Sequence, residues 1–143
     1  MQVRSRARVA VLCSSWADGQ ALRDVVAIEH PEVSVLVANP DFGEALQLPD
    51  ADIVLLAQRE LAANRAALRA LEAAPDGLAR ARTRVVLLCQ KDEVREAYDL
   101  GRSLAVDDYV QYWPMALDGY RLRMCLLDQV RWLGAERCGR VPL

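Results

Sequence analysis

Three stretches of this chain carry side chains able to do chemistry. Cys13-Ser14-Ser15 closes the apolar run Val9-Ala10-Val11-Leu12 and sets a thiol beside two hydroxyls. A thiolate at a strand end is a nucleophile for phosphoryl transfer where backbone amides, glycine and an arginine wrap the phosphate. The loop runs on as Trp16-Ala17-Asp18-Gly19, so Asp18 opposes an anion and Arg23 lies too far along. The alternative is an inert buried thiol, since free cysteine is among the most buried residue types. A second set is Asp18, Asp41 and Lys91, two carboxylates and a cation of the kinds that hold Mg²⁺ and phosphate, with either aspartate as a conceivable acceptor. Against it, Asp18 reads as the cap of a helix, Asp41 as an Asx turn and Lys91 as solvated. His30, the only histidine, precedes Pro31 and reads as a helix C-terminal cap. The third stretch is aromatic: Tyr109, Tyr112 and Trp113, with Tyr120 further on.

The elements that position these groups alternate. Residues 9–13, 33–38, 52–57, 84–89 and 107–112 read as strands, mostly continuous Val, Leu and Ile runs of the length expected for buried parallel strands. Between them, residues 17–30, 59–74 and 92–100 read as helices, ended by Pro31, Pro75-Asp76-Gly77 and Gly101. Residues 42–48 allow a short helix, and Pro114 opens a last one over about 117–133. Strand–helix alternation predicts an α/β fold with a parallel sheet covered on both faces. The expected organisation is one domain over residues 1–133 and a polar tail over 134–143.

Composition narrows the function classes. The 143 residues are 53% hydrophobic and 27% charged, as in a folded domain rather than a disordered chain. A net charge of −2 gives no electrostatic case for nucleic acid or an anionic membrane. The apolar runs are too short to span a bilayer, and Arg4, Arg6 and Arg8 before residues 9–13 make a poor secretory leader. The chain is expected to be cytoplasmic, with Cys13, Cys89, Cys125 and Cys138 reduced and in no metal-type spacing.

Several pieces in order resemble response-regulator receiver domains, over residues 8–133. Asp41-Phe42-Gly43-Glu44-Ala45-Leu46 resembles that family's Asp-Gly-x-Glu-Ala-Leu segment after strand two. Residues 52–56 match the lead-in to its phosphoacceptor aspartate, and Asp107-Asp108-Tyr109-Val110 resembles its Asp-Asp-Tyr-Leu before a lysine and a proline. The resemblance implies a single-domain, doubly wound five-stranded sheet of order 2-1-3-4-5. It also exposes a loss. The acceptor position is Ala57; the acidic pair after strand one is Cys13-Ser14-Ser15; the hydroxyl after strand four is Cys89. The lysine position falls on Tyr112, with Trp113 inserted before Pro114. Phosphoryl transfer to aspartate needs a nucleophilic carboxylate, Mg²⁺ ligands, a cation and a hydroxyl, and every one of these positions is changed.

The resemblance therefore implies a pseudo-receiver with no catalytic residues, no metal and no cofactor. Its degenerate acceptor pocket would be Cys13, Ser14, Ala57, Cys89 and Tyr112. In that family the last strand and its flanking helices form the usual dimer and partner surface, and Tyr109 falls on the family's mobile aromatic. Tyr109, Tyr112 and Trp113 are the candidate interface, with filling of the sheet edge as the alternative. The expected partner is a signalling protein (a kinase, a chemoreceptor array or an effector) or a second copy in a homodimer, with no nucleic acid and no membrane. Two other readings stay open: an enzyme or phosphocarrier using Cys13, and a small-ligand binder using a roomier, less charged crevice.

Overall fold

A computed structural model describes residues 7–38, 51–73, 83–113 and 119–137. The strands are β1 (Val9–Cys13), β2 (Val33–Val37), β3 (Ile53–Ala57), β4 (Arg84–Gln90) and β5 (Asp108–Trp113). The helices are α1 (Trp16–Val26), α2 (Leu61–Ala73), α3 (Val94–Arg102) and α4 (Gly119–Arg137), with one 3₁₀ turn over Lys91–Glu93. All five strands are parallel, in the order β2-β1-β3-β4-β5. This is the expected doubly wound single-domain sheet. Among the described residues no helix is long and apolar enough to cross a membrane.

Side-chain alternation along the strands divides the core in two. Val9, Val11, Cys13, Ile53, Leu55 and Ala57 face Leu22 and Val26 of α1 and Leu122, Leu126 and Val130 of α4. Ala10, Leu12, Val54, Leu56, Leu87 and Cys89 face Leu61, Leu68 and Leu71 of α2 and Ala97 of α3. Because both faces of β1 and β3 are covered, their apolar runs have no polar alternation. α1 sits unusually close to the sheet. A β-carbon on Gly19 would come 2.4 Å from Val35 Cγ1 and 2.9 Å from Cys13 Sγ, so the approach requires glycine.

Several ends differ from expectation. α1 begins at Trp16 and is capped by Ser15, whose Oγ accepts from the Asp18 N–H at 3.1 Å; Asp18 is therefore not the cap. α3 does not stop at Gly101. It closes through Ser103 and Leu104, with the Ala105 N–H donating to Leu100 O at 3.0 Å and the Leu104 N–H to Gly101 O at 3.1 Å. That six-to-one pattern demands a left-handed residue, and Leu104 supplies it at φ 65°. α4 continues to Arg137, into the stretch expected to be a tail. The expected helix over 42–48, the turn at 39–41 and Pro114 lie outside the described residues.

His30 is not a cationic cap. It is buried, and its Nδ1 accepts the Ala7 N–H at 3.1 Å, so the ring is neutral on that nitrogen. Burial lowers its pKa, against a smaller upward pull from Glu29.

Candidate functional site

The carboxyl edge of the sheet is where an open α/β fold places its ligands. Cys13 and Ala57 are register partners there, and both are fully buried. The single proton of the Cys13 thiol is shared between Ser15 O at 3.3 Å and Leu36 O at 3.5 Å. Burial raises its pKa, the Asp18 carboxylate raises it further, and the Ser15 contact only partly offsets this. The group is a packed neutral thiol, the opposite of an activated nucleophile. Ser14 beside it is exposed. Cys89 is fully buried on the other face of the sheet, and burial followed by the charge of Glu93 pushes its thiol up to about 11. The Tyr112 hydroxyl is also raised, by burial. None of the four buried pocket positions carries charge at neutral pH.

The charge at this edge belongs to Asp18 and to Arg59, a residue the sequence did not single out. Asp18, in the first turn of α1, receives Arg59 Nε at 2.8 Å on Oδ2 and Nη2 at 2.9 Å on Oδ1. The fork is bidentate, and it holds the Asp18 carboxyl below the usual carboxylate range. The same guanidinium lies 4.5 Å above the centre of the Trp113 ring. Arg59 thus joins the start of α1, the loop after β3 and the end of β5.

The loop carrying Arg59 is itself tied down. The Gln58 N–H donates to Asn64 Oδ1 at 2.9 Å, and Asn64 Nδ2 returns a bond to Gln58 O at 2.9 Å and reaches Leu88 O of β4 at 3.5 Å. Asn64 is buried, so its amide is fully committed to holding backbone. The Glu93 carboxylate accepts the first N–H of α2, from Leu61, at 2.7 Å and the Gln90 N–H at 2.9 Å. Gln90 Nε2 in turn donates to Arg59 O.

The aromatic residues separate. Against Cys89↔Gln111, the next register pair is Gln90↔Trp113, so Tyr112 is the extra residue of a β-bulge. The bulge lets neighbouring residues Tyr112 and Trp113 enter the same core cluster, on the α1 and α4 face. They pack edge to face, with ring centres 5.1 Å apart and planes at 90°. Only 4% and 5% of their surfaces are exposed. That burial fits the edge-filling alternative for these two residues better than an exposed interface role. Tyr109 is half-buried against the α2 and α3 face, while Tyr120 on α4 is 77% exposed. Among the described residues one atom stands out: Trp113 Nε1 is buried and has no hydrogen-bond partner there.

The alternative site does not assemble among the described residues. Asp18 is paired with Arg59, Lys91 is exposed on the 3₁₀ turn, and Asp41 lies outside the described residues. The Mg²⁺ that receiver chemistry requires does not fit either. Ala57 offers no oxygen, and both Asp18 oxygens are taken by a guanidinium.

No protein-family model matches the chain, and no curated protein does. Solved structures do. One is described as the crystal structure of adenylate cyclase from Rhodopirellula baltica, with a TM-score of 0.61 at 9% identity. The alignment covers 93% of this chain and 94% of that one. At that identity the likeness extends to the fold and no further.

Proposed function

We propose that this chain is a receiver-like signalling domain that takes no phosphoryl group and acts through protein–protein contact, in a two-component or chemotaxis-type pathway. The observation that carries this reading is the pairing of Cys13 with Ala57 at the carboxyl edge. Two fully buried, oxygen-poor side chains stand where phosphoryl transfer would need an acceptor and metal ligands. The nearby carboxylate, Asp18, is already neutralised by Arg59. The strand order supports the reading, as do the acidic turn before β5 and the half-buried Tyr109.

The Cys13 enzyme reading is weakened by a thiol whose proton is shared between two carbonyls and whose pKa is raised. The crevice-binder reading is weakened by Arg59, which lies across the same edge. The structural neighbour is described as an adenylate cyclase, and at 9% identity it brings this chain a fold and neither that activity nor a pathway.

The test is incubation with acetyl phosphate and Mg²⁺ followed by intact-mass measurement. Neither the protein nor its Ala57→Asp variant is expected to gain mass, because the metal ligands and the lysine stay missing in both. A stoichiometric, base-labile aspartyl adduct on the unmodified sequence would overturn the proposal.

A further inference from the structure

Three forces meet on Trp113. Its ring is packed into the α1 and α4 face, and its π-face is covered by the Arg59 guanidinium at 4.5 Å. Its Nε1–H is buried without an acceptor among the described residues. The first two hold the ring in. The third pushes it out, because a buried donor without a partner would regain a hydrogen bond on reaching water. Arg59 is placed to decide between them. Its own side chain is 47% exposed and open to solvent ions, while the Asp18 side chain that anchors it is 11% exposed.

We propose that Asp18, Arg59 and Trp113 form an ionic latch that holds the end of β5 in one arrangement, and that weakening the Asp18–Arg59 pair releases it. The proposal rests on the phosphate-independent reading above and names how such a domain could be regulated. The charge pair is built into the chain and bears on the end of β5 through a ring face. The bulge at Tyr112 makes this end of β5 the irregular part of the ladder, so it can shift without disturbing β1, β3 and the regular part of β4. The Gln58–Asn64 bonds fix the loop beneath Arg59, so motion is directed to the arginine side chain and the β5 end.

The experiment follows the indole N–H of Trp113 by NMR, distinguished from those of Trp16 and Trp132 by Trp→Phe variants. Hydrogen exchange of the Tyr112 and Trp113 amides is read in parallel. Arg59→Ala and Asp18→Asn are each expected to shift the Trp113 signal and to speed exchange at these amides about fivefold, with β1 and β3 amides unchanged. Raising salt to about 1 M, where the Debye length is about 3 Å, should move the unmodified protein part of the way and leave Arg59→Ala where it was. If circular dichroism shows that Arg59→Ala unfolds, Arg59→Lys carries the test, since it keeps the charge and loses the fork and the stacking plane. A Trp113 signal and exchange rates indifferent to these variants and to salt would overturn the latch. A phosphoryl adduct would overturn the preceding reading and leave the latch standing.

Discussion

The two ends of the sheet solve one problem with the same parts and different rigidity. At the amino end, Arg84 opens β4; its Nη1 lies 3.2 Å from Asp107 Oδ1 and its Nε donates to Gln129 Oε1 at 2.7 Å. Its guanidinium covers Trp132 of α4 at 3.9 Å. At the carboxyl end, Arg59 bridges Asp18 and Trp113. Each arginine is held between an aspartate and a tryptophan. The amino-end assembly is built on the ladder itself, since the Val85 N–H donates to Asp107 Oδ2 at 2.7 Å and the Asp107 N–H to Val85 O at 2.8 Å. Only 16% of the Arg84 side chain is exposed, against 47% for Arg59. The carboxyl-end assembly hangs on a loop and a bulge. In open α/β folds the carboxyl end is normally kept for ligands. Here it has been given a side-chain closure, looser than the one that staples the opposite end.

That contrast can be broken by truncation. The largest effect is expected from Trp113→Ala, which removes a buried ring from the core and should cost about 3–5 kcal/mol in denaturant unfolding. Its association state, by sedimentation or light scattering, should match that of the unmodified protein. An intact stability with lost self-association would return Trp113 to the interface and undo the comparison.

The two arginines should then differ from each other. Arg84→Ala takes the guanidinium away from the mostly buried Asp107 carboxylate, which keeps the Val85 N–H, and from Gln129, and should cost about 2 kcal/mol, with little relief from salt. Arg59→Ala should cost about 1 kcal/mol, falling further as salt rises, because the guanidinium side of its ion pair is about half in water although Asp18 is not. Urea titrations of both variants at low and high salt check the ranking, and equal costs would mean that the two ends are equally rigid.

A smaller effect belongs to the amino end alone. His30 has a lowered folded-state pKa, so its contribution is complete above its unfolded value of about 6.5. As pH falls below that value the unfolded chain takes up a proton that the folded ring resists, and stability declines until the folded ring titrates. Protonation would also turn Nδ1 from acceptor to donor against the Ala7 N–H. His30→Gln should flatten the stability profile below about pH 6.5, measured by urea unfolding at each pH. An unchanged slope would remove this role. Asp18, also lowered, acts at the carboxyl end in a more acidic window, its contribution being lost as pH falls below about 4.

The sequence alone determined the sheet. Continuous apolar strands alternating with helices require a covered parallel sheet, and the order of the elements fixed Cys13, Ala57 and Cys89 at strand ends. Against the receiver pattern it resembles, the segment before Pro114 holds one extra residue, expected at Trp113, whereas the strand register makes Tyr112 the extra one. Ser15-Trp16-Ala17-Asp18 and Gln90-Lys91-Asp92-Glu93 each carry the spacing of a helix start, a signal for the Ser15 cap and for Glu93 that the reading of Asp18 as the cap passed over. What only the tertiary structure decided is what those strand ends touch. Arg59 and Asp18 are 41 positions apart and meet because strand order brings the loop after β3 beside the start of α1. Trp113 looks like a surface aromatic in sequence and is buried because a bulge turns it inward beneath a guanidinium. Local periodicity records which face of its own element a residue occupies. It carries no record of which loop from elsewhere in the chain will cover that face, and at this carboxyl edge the covering is the feature that closes the site.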